Sequence, residues 1–177
     1  PRSWPTSITR RRAISAGRIA SGCFLPVATA PTSVTRRDAV SGTGPSGESR
    51  VRDAIELLGA DRIDHGVRAI EDPELVALLV DQRIPLGVCP TSNLKLGVYA
   101  AIEAHPIDRL RRAGVVVSLN TDDPVLLGAS LEGEYALCRQ AFGWSDEDLR
   151  ALARNSIDAS FANADVKTGL IEALARW

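Results

Sequence analysis

Two adjacent carboxylates, Asp122 and Asp123, stand between the apolar run Ala113-Gly114-Val115-Val116-Val117-Ser118-Leu119-Asn120-Thr121 and Pro124. Three consecutive valines after a glycine predict a strand covered on both faces, the kind found in parallel sheets. The carboxyl ends of such strands are where chemistry collects in α/β folds, and Asp122 and Asp123 fall there. Neighbouring side chains at a strand end diverge, so one carboxylate is able to hold a metal ion while the other meets a substrate. The same residues also fit a plain turn in which Asp123 caps a short helix opening at Pro124.

Two further strand ends carry reactive types. His65 closes the short run Arg62-Ile63-Asp64 and precedes Gly66. Imidazole changes charge near neutral pH, which suits proton transfer, although a His in this place also serves as a polar residue bonded to a neighbouring loop. The third end is Cys89-Pro90-Thr91-Ser92-Asn93, which reads as a polar turn. Nothing near Cys89 in sequence lowers its thiol pKa, so it reads as a small buried hydrophobe. His105, before Pro106 at a helix entrance, reads as structural. If the three strands are neighbours, His65, the polar turn and the acidic pair point into one cleft.

The elements that must position these groups begin at about Ser49. Val51, Ala54, Ile55 and Leu58 make the apolar stripe of a helix over 50–58, ended by Gly59. A helix from Pro73 through Leu75, Leu78, Leu79 and Val80 leads to a strand over 84–88. A helix from Pro106 with Ile107 and Leu110 on one face leads, through Gly114, to the valine strand. Helix and strand alternate every 25 to 30 residues or so, the spacing of βα units in a parallel sheet or barrel. Beyond Pro124 three helices are expected, over 131–142, from Ser145 to about Ala162 with a capping box at Ser145 to Asp148, and over 166–176.

Composition divides the chain in two. Its 177 residues are 45% hydrophobic and carry a net charge of -1, enough apolar side chain for a core. Residues 1–49 hold seven Arg against Asp38 and Glu48, about +5, leaving about -6 for residues 50–177. That leader has no sustained period of 2 or 3.6 and is expected to be irregular or disordered. With 19 Arg and only 2 Lys in the chain, GC-rich coding is implied, and an out-of-frame leader is a second expectation for residues 1–49; an organelle transit peptide is a weaker one, since Gly17 interrupts the only helical stretch. Three cysteines, Cys23, Cys89 and Cys138, at irregular spacing fit neither a disulfide framework nor a zinc ribbon and suit a cytoplasmic protein. No apolar run reaches membrane-spanning length, so no membrane partner is expected. No nucleic-acid partner is expected either, since only the Arg-rich leader, with Trp4 and Phe24, resembles such a surface.

Asp64-His65-Gly66, then Cys89-Pro90-Thr91-Ser92-Asn93, then His105-Pro106, then Ser118-Leu119-Asn120-Thr121-Asp122-Asp123-Pro124, in this order and spacing, resemble the C-terminal part of the adenosine deaminase family, within the metal-dependent amidohydrolases. The resemblance covers residues 50–177. It implies an α/β fold, the C-terminal part of a (β/α)8 TIM-type barrel with about three parallel strands and flanking helices. It also implies zinc-dependent hydrolytic deamination of adenosine to inosine and ammonia, with a purine nucleoside as the small-molecule partner and adenine or an aminofutalosine-type nucleoside as related substrates. Cytidine-type zinc deaminases are disfavoured, because their His-x-Glu and Pro-Cys-x-x-Cys signature is absent. By the same resemblance Asp122 matches the zinc ligand, His65 the catalytic histidine that orients and deprotonates the zinc-bound water, and Asp123 the carboxyl group that binds the purine ring nitrogen. That nitrogen accepts a hydrogen bond, so the last role requires a protonated Asp123.

The departures are as specific as the matches. The family takes two zinc ligands from a His-x-His, a third from the His of His-Ala-Gly-Glu, and its proton donor from that Glu. Residues 38–48, where the second motif should fall, read Asp-Ala-Val-Ser-Gly-Thr-Gly-Pro-Ser-Gly-Glu, and the chain has two histidines in all. A catalytic zinc normally needs three or more protein ligands, and three strands do not close an eight-stranded barrel. The expectation is therefore an incomplete deaminase. Its alternative is an inactive fragment or degenerate relative that binds a purine or metal weakly at most.

Overall fold

The computed structural model describes residues 12–15 and 47–177. Among the described residues four strands, β1 (Arg12–Ser15), β2 (Ala60–Asp64), β3 (Leu86–Val88) and β4 (Val117–Leu119), lie in the order β1-β2-β3-β4 and are parallel throughout. The last three are the predicted strands: β2 begins two residues before Arg62, where it was expected, while β3 and β4 are shorter than expected. β1 falls inside the stretch expected to be irregular and pairs with β2 from Arg12↔Ala60 to Ser15↔Asp64. Residues 47–49 of the leader open the first helix, and residues 1–11 and 16–46 lie outside the described residues.

Helices α1 (Gly47–Glu56), α2 (Pro73–Asp81), α3 (Pro90–Lys95) and α4 (Ile107–Arg112) alternate with the strands; α5 (Pro124–Leu127), α6 (Leu131–Phe142), α7 (Asp146–Ala159) and α8 (Ala164–Ala175) follow β4. α1 buries Val51, Ala54 and Ile55 as the stripe predicts, but it ends before Leu58, which is exposed. Gly59 at φ 62 turns the chain there, and the Leu57 and Gly59 N–H groups close on Asp53 and Ile55 carbonyls. The capping box forms as read: Ser145 Oγ accepts from Asp148 N–H, and Asp148 accepts from Ser145 N–H. One expectation is corrected. Pro90-Thr91-Ser92-Asn93 is the body of α3 and not a turn; Pro90 at the first helical position has φ suited to the helix and no N–H to lose.

Period-two alternation assigns the two faces of the sheet. Ile63↔Leu86↔Val117 are in register and fully buried, facing the helices together with Leu75, Leu79, Ile107 and Leu110. The next register, Asp64↔Gly87↔Ser118, falls on the opposite face. One face of this sheet is therefore an apolar core, and the other is polar near the strand ends.

Candidate active site at the strand ends

The polar layer is built around the absence of a side chain. A Cβ at Gly87 would lie 2.5 Å from Asp64 Oδ1 and 3.1 Å from Asn120 Nδ2. Glycine there lets a carboxylate from β2 and an amide from the end of β4 approach across β3. Asn120 Nδ2 also donates to Ser118 Oγ at 3.1 Å and to the Ser118 carbonyl at 3.2 Å. Asp64 is 7% exposed, with Arg62 Nε 3.5 Å from its Oδ1. Burial raises the Asp64 pKa, while the Arg62 and His65 charges pull it back.

His65 leaves β2 in the left-handed region at φ 70, uncommon for a residue with a Cβ. Its N–H donates to the Gly87 carbonyl at 2.6 Å, so the ladder holds through the turn and the imidazole is set at the strand end. The ring is buried, and burial lowers its pKa against the opposing pull of Asp122 and Asp64. An imidazole kept neutral near carboxylates is suited to accept a proton and then be stabilised as a cation.

At the end of β4, Asp122 Oδ2 accepts from Ser92 Oγ at 2.6 Å, which ties it to α3 across 30 residues. Asp123 diverges, as neighbouring strand-end side chains do. Its Oδ1 accepts from Val125 N–H at 3.0 Å and Leu126 N–H at 2.8 Å, so it is the N-cap of α5. This is the capping role that Pro124 allows. Cys89 is buried at the start of α3.

His105 is taken up by structure. Its Nδ1 accepts from Ile107 N–H at 3.2 Å, so Nε2 carries the proton and donates to Asn93 Oδ1 at 2.9 Å. Burial pushes its pKa down to about 4. An unfolded His titrates near 6.5, so the unfolded chain binds the proton first. This contribution to stability is full above about pH 6.5 and is lost as pH falls to about 4, up to about 3 kcal/mol. Asp64 and Glu134, both with raised pKa, act in the opposite direction on acidification. Urea denaturation at several pH values should show a loss over that window that is smaller in His105→Gln.

Zinc fits poorly to this donor set. Among the described residues no three His, Cys, Asp or Glu side chains are placed to share a metal ion. His105, one of the chain's two histidines, has both ring nitrogens engaged. Of the matched residues only Asp122 stands as a ligand, with His65 as the base, fewer donors than a catalytic zinc requires.

The structure thus brings His65 and Asp122 to one end of the sheet and gives Asp123 a capping task. Sequence reasoning passed over Asp64, Ser92, Asn120 and Glu134. The first three lie inside motifs already singled out and were legible as polar groups on strand ends. Glu134 carried no local signal, because its partner is Thr91, 43 residues away.

The family model described as adenosine deaminase matches residues 35–177. The chain is 44% identical over 137 residues to the adenine deaminase of Geotalea uraniireducens, covering 76% of this chain and 39% of that protein. Among solved structures it resembles adenine deaminase from Arthrobacter aurescens, with a TM-score of 0.74 and 32% identity over 77% of this chain and 42% of the other. It also resembles an amidohydrolase from Burkholderia ambifaria with bound zinc, with a TM-score of 0.66 and 30% identity over 73% of this chain and 36% of the other. The chain spans about two fifths of the length of the relatives it matches.

Proposed function

This chain belongs to the adenosine deaminase family, and we propose that it supplies the C-terminal part of the active site of a hydrolase that removes the amino group from an adenine-type purine. Its fold is the C-terminal part of a (β/α)8 TIM-type barrel. The observation that carries the proposal is the placing of His65 and Asp122 at the ends of β2 and β4, within electrostatic reach of one another on a parallel sheet. In this reading His65 takes a proton from the attacking water. Asp122, held by Ser92, would be the carboxylate that ligates the metal, and Asp123, whose Oδ1 caps α5, would meet the purine through Oδ2. Zinc is the metal of this proposal, as in the zinc-bound amidohydrolase it resembles, and its remaining ligands have to come from other parts of the barrel.

Adenine is favoured as substrate, because the similar Geotalea and Arthrobacter proteins are adenine deaminases; adenosine follows from the family as a whole. A cytoplasmic location and a division near residue 49, with an out-of-frame leader before it, complete the reading. The DNA around codons 30–50 tests the last point. The frame that carries His-Ala-Gly-Glu, joined to residues 50–177 together with upstream sequence bearing His-x-His, is expected to release ammonia from adenine faster than from adenosine. Silence toward both purines would overturn the proposal.

A second reading, of a catalytically incompetent fragment, draws on the incomplete donor set among the described residues. Asp123 separates a pure cap from a purine-binding group. Asp123→Ala should lower stability by about 1 kcal/mol through the lost cap, whereas Asp123→Asn should nearly retain it. In the reconstituted deaminase Asp123→Asn should still cut kcat/KM more than tenfold or so, the cost of an altered hydrogen bond to the base. Full activity in that variant would leave Asp123 with the cap alone.

A further inference from the structure

A buried carboxylate that the proposed chemistry does not use lies behind the site. Glu134, in the first turn of α6, is 1% exposed. Both its oxygens face one amide, the N–H of Thr91, with Oε1 at 3.3 Å and Oε2 at 3.1 Å. Burial raises the carboxyl pKa, and hydrogen bonds from the Thr91 backbone and side chain hold it down. Thr91 is the second residue of α3, where helix amides have no partner within the helix.

The next residue of α3 is Ser92, 1% exposed, whose hydroxyl donates to Asp122 Oδ2 at 2.6 Å. The path from Glu134 to Asp122 therefore runs through one short rigid element: carboxylate to Thr91 N–H, one step along the helix, then hydroxyl to carboxylate. A helix start needs no buried charge, since a Ser or Asn at the cap position satisfies the same amides from within the chain. A carboxylate brought from α6 does something a local cap does not. It fixes where α3 begins relative to α6.

We propose that Glu134 is a positioning residue for Asp122, locking the start of α3 so that Ser92 holds one Asp122 oxygen and sets the direction of the carboxylate in the site. The inference rests on Asp122 belonging to the site proposed above, and it extends that site by a residue that touches neither substrate nor metal.

The test compares the full chain with Glu134→Ala, Glu134→Gln and Ser92→Ala by NMR, reading amide exchange at Thr91 and the carboxyl carbon resonance of Asp122. Ser92→Ala marks the Asp122 resonance without its hydroxyl donor. In Glu134→Ala the Asp122 resonance is expected to move to that position, with Thr91 exchange at least about tenfold faster and the β2 to β4 amides still protected. Glu134→Gln keeps an acceptor oxygen and should restore the parent resonance. An Asp122 resonance unmoved in Glu134→Ala, with only Thr91 exchange accelerated, would overturn the proposal and leave Glu134 as a helix cap. Should Glu134→Ala fail to fold, Glu134→Asp shortens the side chain by one methylene, withdraws the carboxylate from the Thr91 N–H and carries the same comparison. Ammonia release by the upstream-extended protein tests the site itself. Silence there together with the expected Asp122 shift would remove the deaminase reading and leave the coupling between Glu134 and Asp122 intact.

Discussion

Mixed with adenine or adenosine and added zinc, the 177-residue chain is expected to release no ammonia above the uncatalysed background. A water molecule attacks a purine ring at neutral pH only when something makes hydroxide available, and zinc does so by lowering the pKa of bound water from about 15.7 to about 7. Holding that ion normally takes three or more protein donors. Of the matched residues only Asp122 is a ligand, with His65 a base and His105 locked between Asn93 and the Ile107 amide. His65 by itself is a base without a strong nucleophile to generate. A coupled ammonia assay checks the result, and metal analysis after dialysis should find well under one equivalent of zinc. Appreciable turnover would require donors from residues 1–49, which hold Cys23, Asp38 and Glu48 but no His, and would refute the expectation of an incomplete site.

Gly87→Ala should be among the most damaging single changes in this chain, although it adds one methyl group. The new Cβ would stand 2.5 Å from Asp64 Oδ1 and 3.1 Å from Asn120 Nδ2. The carboxylate would have to swing away, and with it goes the approach of Arg62 Nε to Asp64 Oδ1 at 3.5 Å. Arg62 and Asp64 are both 7% exposed, so water does not replace what they lose. Overpacking a tight site costs about 1–3 kcal/mol, and breaking a buried ion pair costs about 3–5 kcal/mol when one partner is removed. Because Asp64 is displaced here and not deleted, a loss of about 3 kcal/mol is expected, read as a lower urea midpoint at unchanged slope. Gly169→Ala is the control of opposite sign. Gly169 lies in the interior of α8, a Cβ added there would meet nothing within 4 Å, and the change should stabilise by about 0.5–1 kcal/mol. Equal responses at the two glycines would contradict the crowded polar layer.

Much of the fold was legible because it depends on neighbours a few residues apart. The alternation of apolar stripe and apolar run placed β2, β3 and β4 with their helices, and the box at Ser145 to Asp148 marked the start of α7 to the residue. The motifs around His65 and Asp122 pointed to the strand ends before any contact was known. β1 was missed, since Arg12–Ser15 lies in a stretch without sustained periodicity and is defined by its pairing with β2. α3 was misread as a turn because Pro, Thr, Ser and Asn serve equally in a turn and in the first turn of a helix.

By its order of residues alone the chain determined which side chains stand at the ends of parallel strands, and with that its family. Only the tertiary structure decided which of those side chains meet. Ser92 reaches Asp122 across 30 residues and Glu134 reaches Thr91 across 43, while Gly87 matters for an approach between β2 and the end of β4. The two carboxylates that look alike in sequence part there as well, Asp122 bound to α3 and Asp123 to the start of α5. The physical reason is range: backbone conformation is biased by residues within a turn or two, whereas a hydrogen bond between strand ends exists only after the strands have been brought side by side.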